Sequence, residues 1–149
     1  MTLSPAPYWV SYPEMVRLAG GTPVIVECSE ENGMKMTPDR LKSALTPRTK
    51  LLILNTPSNP TGMVYERDEL KELAGIIVES GIYVISDEVY EKLVYDGVRH
   101  VSIASFSGDI FERTVTVNGV SKAYCMTGWR IGFTAGPKEV IEGMATVQS

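Results

Sequence analysis

Lys122 stands in the stretch "NGVSKAYCMTGWRIGF" (residues 118–133), directly after the strand-like run "RTVTV" and between a glycine-and-serine approach and a tryptophan-arginine pair. A lysine amine can attack a carbonyl or carry a proton, although most lysines are solvated surface charges. What decides between the two is whether other segments bring complementary groups to the same place. The chain offers several: Asn59 in "TPSNPTG", Asp87 and Tyr90 in "DEVYE", Arg130 eight residues after Lys122, and Trp9 in "PAPYW". Each has a plain structural reading. "SNPTG" is turn-forming, Asp87 could cap a helix starting at Glu88, Tyr90 and Trp9 could be core aromatics, and Arg130 a surface charge. A carboxylate, a phenol, an amide, an amine and a guanidinium gathered at strand ends are harder to explain as packing.

The elements around these residues predict that gathering. Apolar, β-branched runs at "PVIVEC" (23–28), "LLILN" (51–55), "IYVISD" (82–87) and "TVTVN" (114–118) are short and nearly continuous, as strands covered on both faces should be. Between them lie helical patterns. In "ERDELKELAGIIVESG" (66–81), Leu70, Leu73, Ala74 and Ile77 form one stripe and Gly81 stands at the expected end. "TPDRLKSAL" (37–45) starts with Thr37 as N-cap and Pro38 at the first helical position, and "PKEVIEGMATV" (137–147) opens in the same way. Strands alternating with helices predict an α/β fold with a mainly parallel sheet and helices on both faces. Ligands of such sheets sit beyond the carboxyl ends of the strands. Three successive strands then deliver Asn59, Asp87 with Tyr90, and Lys122 to one edge.

Composition narrows the class. The 149 residues are 44% hydrophobic and 21% charged, which suits an ordinary globular domain with a buried core. A formal net charge of −4 with scattered basic residues argues against nucleic acid as a partner. Two cysteines, Cys28 and Cys125, in no metal or redox spacing, and a single histidine, His100, give no metal site and favour a cytoplasmic setting. No apolar run approaches membrane-spanning length, and the start lacks a signal-peptide pattern.

The motifs "PYWVSYPEMVRLAGG", "NTPSNPTG", "SDEVYE", "SKAYCMTGWRIGF" and "GPKEV", in this order, resemble the fold-type I aminotransferases that use pyridoxal 5'-phosphate (PLP), and within them the aspartate aminotransferase branch. The resemblance covers nearly the whole chain. It implies that Lys122 anchors the cofactor aldehyde and shuttles a proton, and that Asp87 pairs with the pyridine nitrogen. Tyr90 and Asn59 would bond the ring 3-oxygen, Arg130 would grip the phosphate with its planar fork, and Trp9 would stack on the ring. Asn59 and Trp9 would also meet the substrate. Ala6–Pro7 and Asn59–Pro60 match positions where relatives have cis peptide bonds.

The resemblance further implies amino-group transfer between an amino acid, aspartate or an aromatic one, and a 2-oxo acid, in a homodimer. The alternatives are a C–S lyase of the same fold and a truncated PLP-binding or assembly module without turnover. "MTGWRIG" is closer to aminotransferases than to lyases. Residues 1–149 are read as the central part of the PLP-binding large domain, without its N-terminal segment and without the C-terminal small domain that carries the arginine for the substrate α-carboxylate. The chain alone is therefore expected to be inactive. One departure stands out: many relatives carry a hydroxyl residue where this chain has Gly119, and Ser121, next to Lys122, need not point the same way.

Overall fold

The computed structural model describes residues 1–149. Six strands form one sheet in the order β2-β1-β3-β4-β5-β6: β1 (Thr2–Ala6), β2 (Pro23–Glu27), β3 (Leu51–Asn55), β4 (Tyr83–Asp87), β5 (Thr114–Gly119) and β6 (Gly132–Ala135). The first five run parallel, and β6 returns antiparallel to β5. The four expected strands are all present, within a residue or so of their anticipated ends. β1 and β6 are additions, as is the helix α1 (Ser11–Leu18).

Helices do lie on both faces, but unequally. On one face α2 (Pro38–Ala44), α3 (Arg67–Ser80) and α4 (Gly108–Phe111) close over Leu3, Leu52, Leu54 and Val84. α3 brings Leu70, Leu73, Ala74, Ile76 and Ile77 to that core. Each large aliphatic side chain so buried contributes about 1.5–3 kcal/mol before chain entropy is counted. The ends of α3 are set by its sequence. Glu69 accepts from the Glu66 N–H at 2.7 Å in a capping box, and Gly81 at φ 70° stops the helix in the left-handed conformation that glycine takes without strain. Thr37 caps α2 by accepting from the Arg40 N–H at 3.3 Å.

The other face carries α1, whose Tyr12 and Val16 pack on Ile53 with Tyr8 and Ile85 alongside. Eight residues are too few to cover it. An apolar groove of about 620 Å³ remains beside α1, lined by residues such as Met15, Ile53, Ile85 and Val117. The last helix, α6 (Lys138–Gln148), buries none of its residues. No helix is long and apolar enough to cross a membrane.

Candidate active site

All six residues singled out in the sequence line one cleft of about 490 Å³, within the range of small-molecule sites: Trp9, Asn59, Asp87, Tyr90, Lys122 and Arg130. It lies beyond the carboxyl ends of β3, β4 and β5, where parallel sheets place ligands. Tyr12, Val89, Val117, Ser121 and Thr127 complete its lining.

Asp87 ends β4 and is held from two sides. Its Oδ2 accepts from the Tyr12 hydroxyl at 2.6 Å and its Oδ1 from the Val89 N–H at 3.2 Å. No helix begins at Glu88. The chain makes a turn there, with the Glu91 N–H donating to the Glu88 carbonyl at 2.9 Å, so the capping reading of Asp87 gives way to a local side-chain-to-backbone bond across a turn. Burial, and then the neighbouring Asp87 carboxylate, push the Tyr12 phenol well above its ordinary value of 10.0, so it remains a donor.

Asn55, at the end of β3, joins two of the loops. Its Nδ2 donates to the Asp87 carbonyl at 3.0 Å, and its Oδ1 accepts from the Asn59 N–H at 2.7 Å. The "TPSNPTG" turn is thereby tied to the strand that carries Asp87. The peptide bonds Ala6–Pro7, Thr56–Pro57 and Asn59–Pro60 are cis. Asn59 Nδ2 reaches the Tyr90 hydroxyl at 3.4 Å, a long contact that brings amide and phenol to one side of the cleft.

Lys122 lies in a single helical turn, α5 (Val120–Ala123), that follows β5 directly. Its Nζ is 5.8 Å from the centroid of the Tyr90 ring and takes part in no ion pair. The residue is exposed, so the amine stays solvated until a ligand covers it. Arg130 is also exposed, and one of its nitrogens donates to the Thr127 carbonyl at 3.1 Å while the rest of the fork faces solvent.

The hydroxyl question at Gly119 has a steric answer. A Cβ there would stand 2.9 Å from the Ile131 carbonyl oxygen and 3.2 Å from Gly132 Cα, where the chain turns back into β6. Backbone φ is −178°, ordinary extended geometry, so crowding rather than conformation favours glycine. Ser121, two residues on, does line the cleft.

Two contributors escaped the sequence reading. Tyr12 lies in the first turn of α1, and its N–H donates to the Trp9 carbonyl at 3.1 Å just before the helix. The two rings meet edge to face with centroids 5.5 Å apart. Asn55 ends an apolar strand, the position from which a polar side chain can reach neighbouring loops.

The family profile of aminotransferase class I and II matches residues 2–149. The chain belongs to the class I and II aminotransferase family. As a member it is 57% identical over 145 residues to an aspartate aminotransferase of Geobacillus stearothermophilus, covering 97% of this chain and 37% of that protein. It is 54% identical over 144 residues to an aspartate/prephenate aminotransferase of Thermus thermophilus, covering 97% and 36%. The crystal structure of an aromatic aminotransferase from Pyrococcus horikoshii superposes with a TM-score of 0.95 at 51% identity, covering 99% of this chain and 39% of that one. The chain thus spans little more than a third of the length of these family members.

Proposed function

We propose that this chain is the cofactor-holding segment of a PLP-dependent aminotransferase, which moves an amino group between an amino acid and a 2-oxo acid. The observation that carries the reading is the convergence of amine, carboxylate, phenol, amide, guanidinium and indole on one cleft. The donor set fits the cofactor: a cation fork for a phosphate, a carboxylate for a ring nitrogen, and flat apolar walls from Trp9, Val89 and Val117 for an aromatic ring.

PLP supplies an aldehyde that takes up amines and a ring that accepts electrons from the substrate Cα–H bond. The chain's own residues do the rest. Lys122 would provide the anchoring amine, and the same amine could carry a proton to or from the substrate carbon. Asp87, steadied by Tyr12 and Val89, offers its negative charge to the pyridine nitrogen. Tyr90 and Asn59 would donate toward the ring oxygen, and Arg130 would hold the phosphate. Trp9 would lie against the ring and narrow access for water, and Asn59 would also meet the substrate carboxylate.

Aspartate or an aromatic amino acid is the substrate class, in keeping with the names of the relatives at 57%, 54% and 51% identity. Residues 1–149 form the central part of the PLP-binding large domain. The whole protein works as a cytoplasmic homodimer in this reading, with the substrate α-carboxylate held by residues outside this stretch. The test is to incubate the chain with PLP, reduce it with borohydride and map the modified peptide. A single adduct on Lys122 is expected. Label spread over lysines in proportion to their exposure would refute the assignment.

A further inference from the structure

Behind Asp87 lies a second, buried carboxylate that the proposed chemistry does not use. Glu88 is 3% exposed and satisfies both of its oxygens internally. Oε1 accepts from the Ser86 hydroxyl at 2.9 Å and from the Ser102 hydroxyl at 2.7 Å, and Oε2 lies 2.9 Å from His100 Nε2. Side chains alternate across a strand. Ser86 and Glu88 therefore point to the core face, while Asp87 between them points to the cleft.

A buried carboxylate is costly unless fully paired, and losing one partner costs more than the pair gains. Here Glu88, through its carboxylate and its backbone N–H, fastens three stretches together at the point where Asp87 leaves the sheet. The Ser86 hydroxyl comes from β4 itself, and His100 and Ser102 from the segment that leads into the next helix. The Glu88 N–H donates to the Val117 carbonyl of β5 at 2.9 Å. On the other side, the Asp87 carbonyl is taken by the Asn55 side chain and the Thr56 N–H, at 3.0 and 3.1 Å. Glu91 stands close by, with ligand atoms of Glu88, Glu91 and His100 all within 4.8 Å. Because the Glu88 oxygens are already committed to three donors, the cluster is a hydrogen-bonded anchor rather than an ion cage.

We propose that Glu88 is a positioning residue for Asp87: clamped by Ser86, His100 and Ser102, it fixes the end of β4 so that the Asp87 carboxylate is aimed into the cleft. The inference rests on the reading of Asp87 as the ring-nitrogen partner, but its test starts without cofactor. Two donors report directly where the Asp87 carboxylate sits, the Tyr12 hydroxyl and the Val89 amide. Their NMR resonances would be compared in the chain and in Glu88→Ala, Ser102→Ala and Ile103→Val. The last loosens packing of the same segment, at a fully buried residue, without touching the carboxylate.

Expected are displaced Tyr12 and Val89 signals in Glu88→Ala, a smaller displacement in the same direction in Ser102→Ala, and none in Ile103→Val. With PLP added, Glu88→Ala and Ser102→Ala should still label at Lys122 but bind the cofactor more weakly, by about tenfold for Glu88→Ala, the lower end of what losing a supporting group costs at metal sites. If Glu88→Ala does not fold, Ser102→Ala, which removes one donor only, decides the matter. Unmoved Tyr12 and Val89 signals in the folded variants, or equal changes in Ile103→Val, would overturn the proposal. If the unmodified chain fails to label at Lys122 while the apo signals move as expected, the cofactor reading falls and the positioning role stands.

Discussion

The hydroxyl of Tyr12 and the carboxylate of Asp87 meet at 2.6 Å across 75 residues of sequence. One comes from the helix after β1 and the other from the end of β4, and their bond joins the Trp9 wall of the cleft to its acidic floor. Tyr12→Phe keeps the ring and removes the donor. A hydrogen bond to a charged group contributes about 1.5–3 kcal/mol, so the variant should lose roughly 1–2 kcal/mol in urea denaturation and bind PLP more weakly. Unchanged values for both would show that the bond contributes nothing.

Alkaline pH should act through the same residue. Tyr12 is raised above the ordinary phenol value of 10.0 by burial first and Asp87 second, and Tyr65 is raised by burial. A folded-state value above the unfolded one means stability is fully present below about pH 10 and declines as pH rises further. Urea midpoints should fall above that pH, and less steeply in Tyr12→Phe.

Acid works through Glu88. Burial alone would raise its carboxyl, but hydrogen bonds from His100, Ser102 and Ser86 outweigh it and hold the group below its ordinary value of 4.5. The stability it gives is present above that value and is lost as pH falls through the lower folded value. Glu88→Gln should flatten the acid limb of a stability-against-pH curve; an unaltered limb would place acid sensitivity elsewhere.

Gly119→Ser tests the crowding at the β5–β6 junction. The added Cβ would press on the Ile131 carbonyl at 2.9 Å, and backbone cannot rotate away as a side chain can. Overpacking of this kind costs about 1–3 kcal/mol. A lower midpoint in thermal unfolding is expected, and a gain in stability would contradict the steric account.

Arg130→Lys separates phosphate recognition from covalent attachment. A lysine keeps the charge and loses the planar fork. PLP affinity should fall about tenfold, while the borohydride adduct remains on Lys122. Equal affinity would mean that Arg130 does not hold the phosphate.

Much of this architecture was legible in the sequence because parallel strands buried between layers must be apolar and continuous, which made "LLILN" and "TVTVN" plain. β1 was hidden by Pro5. Proline cannot donate to a ladder, yet β1 pairs with β3 only at Thr2 and Leu3, so Pro5 lies beyond that pairing with β2 as its one neighbour. α1 was masked by Pro13, which the first turn of a helix tolerates. β6 has four residues and no apolar run; its pairing with β5, not its own pattern, makes it a strand. The six residues that line the cleft could be picked out because each follows a recognisable strand or motif. Tyr12 and Asn55 could not, since their roles depend on groups from other segments.

The span between Tyr12 and Asp87 also bears on how the molecule is made. Closing so long a loop costs entropy that only later contacts return. The floor of the cleft therefore cannot exist in a half-assembled chain, because β1, β3, β4 and β5 must first lie side by side. A cofactor added early would meet loose lysines and no carboxylate behind them. If the cleft takes PLP as proposed, uptake would wait on completed folding, since the Tyr12–Asp87 contact forms only once both segments are in place.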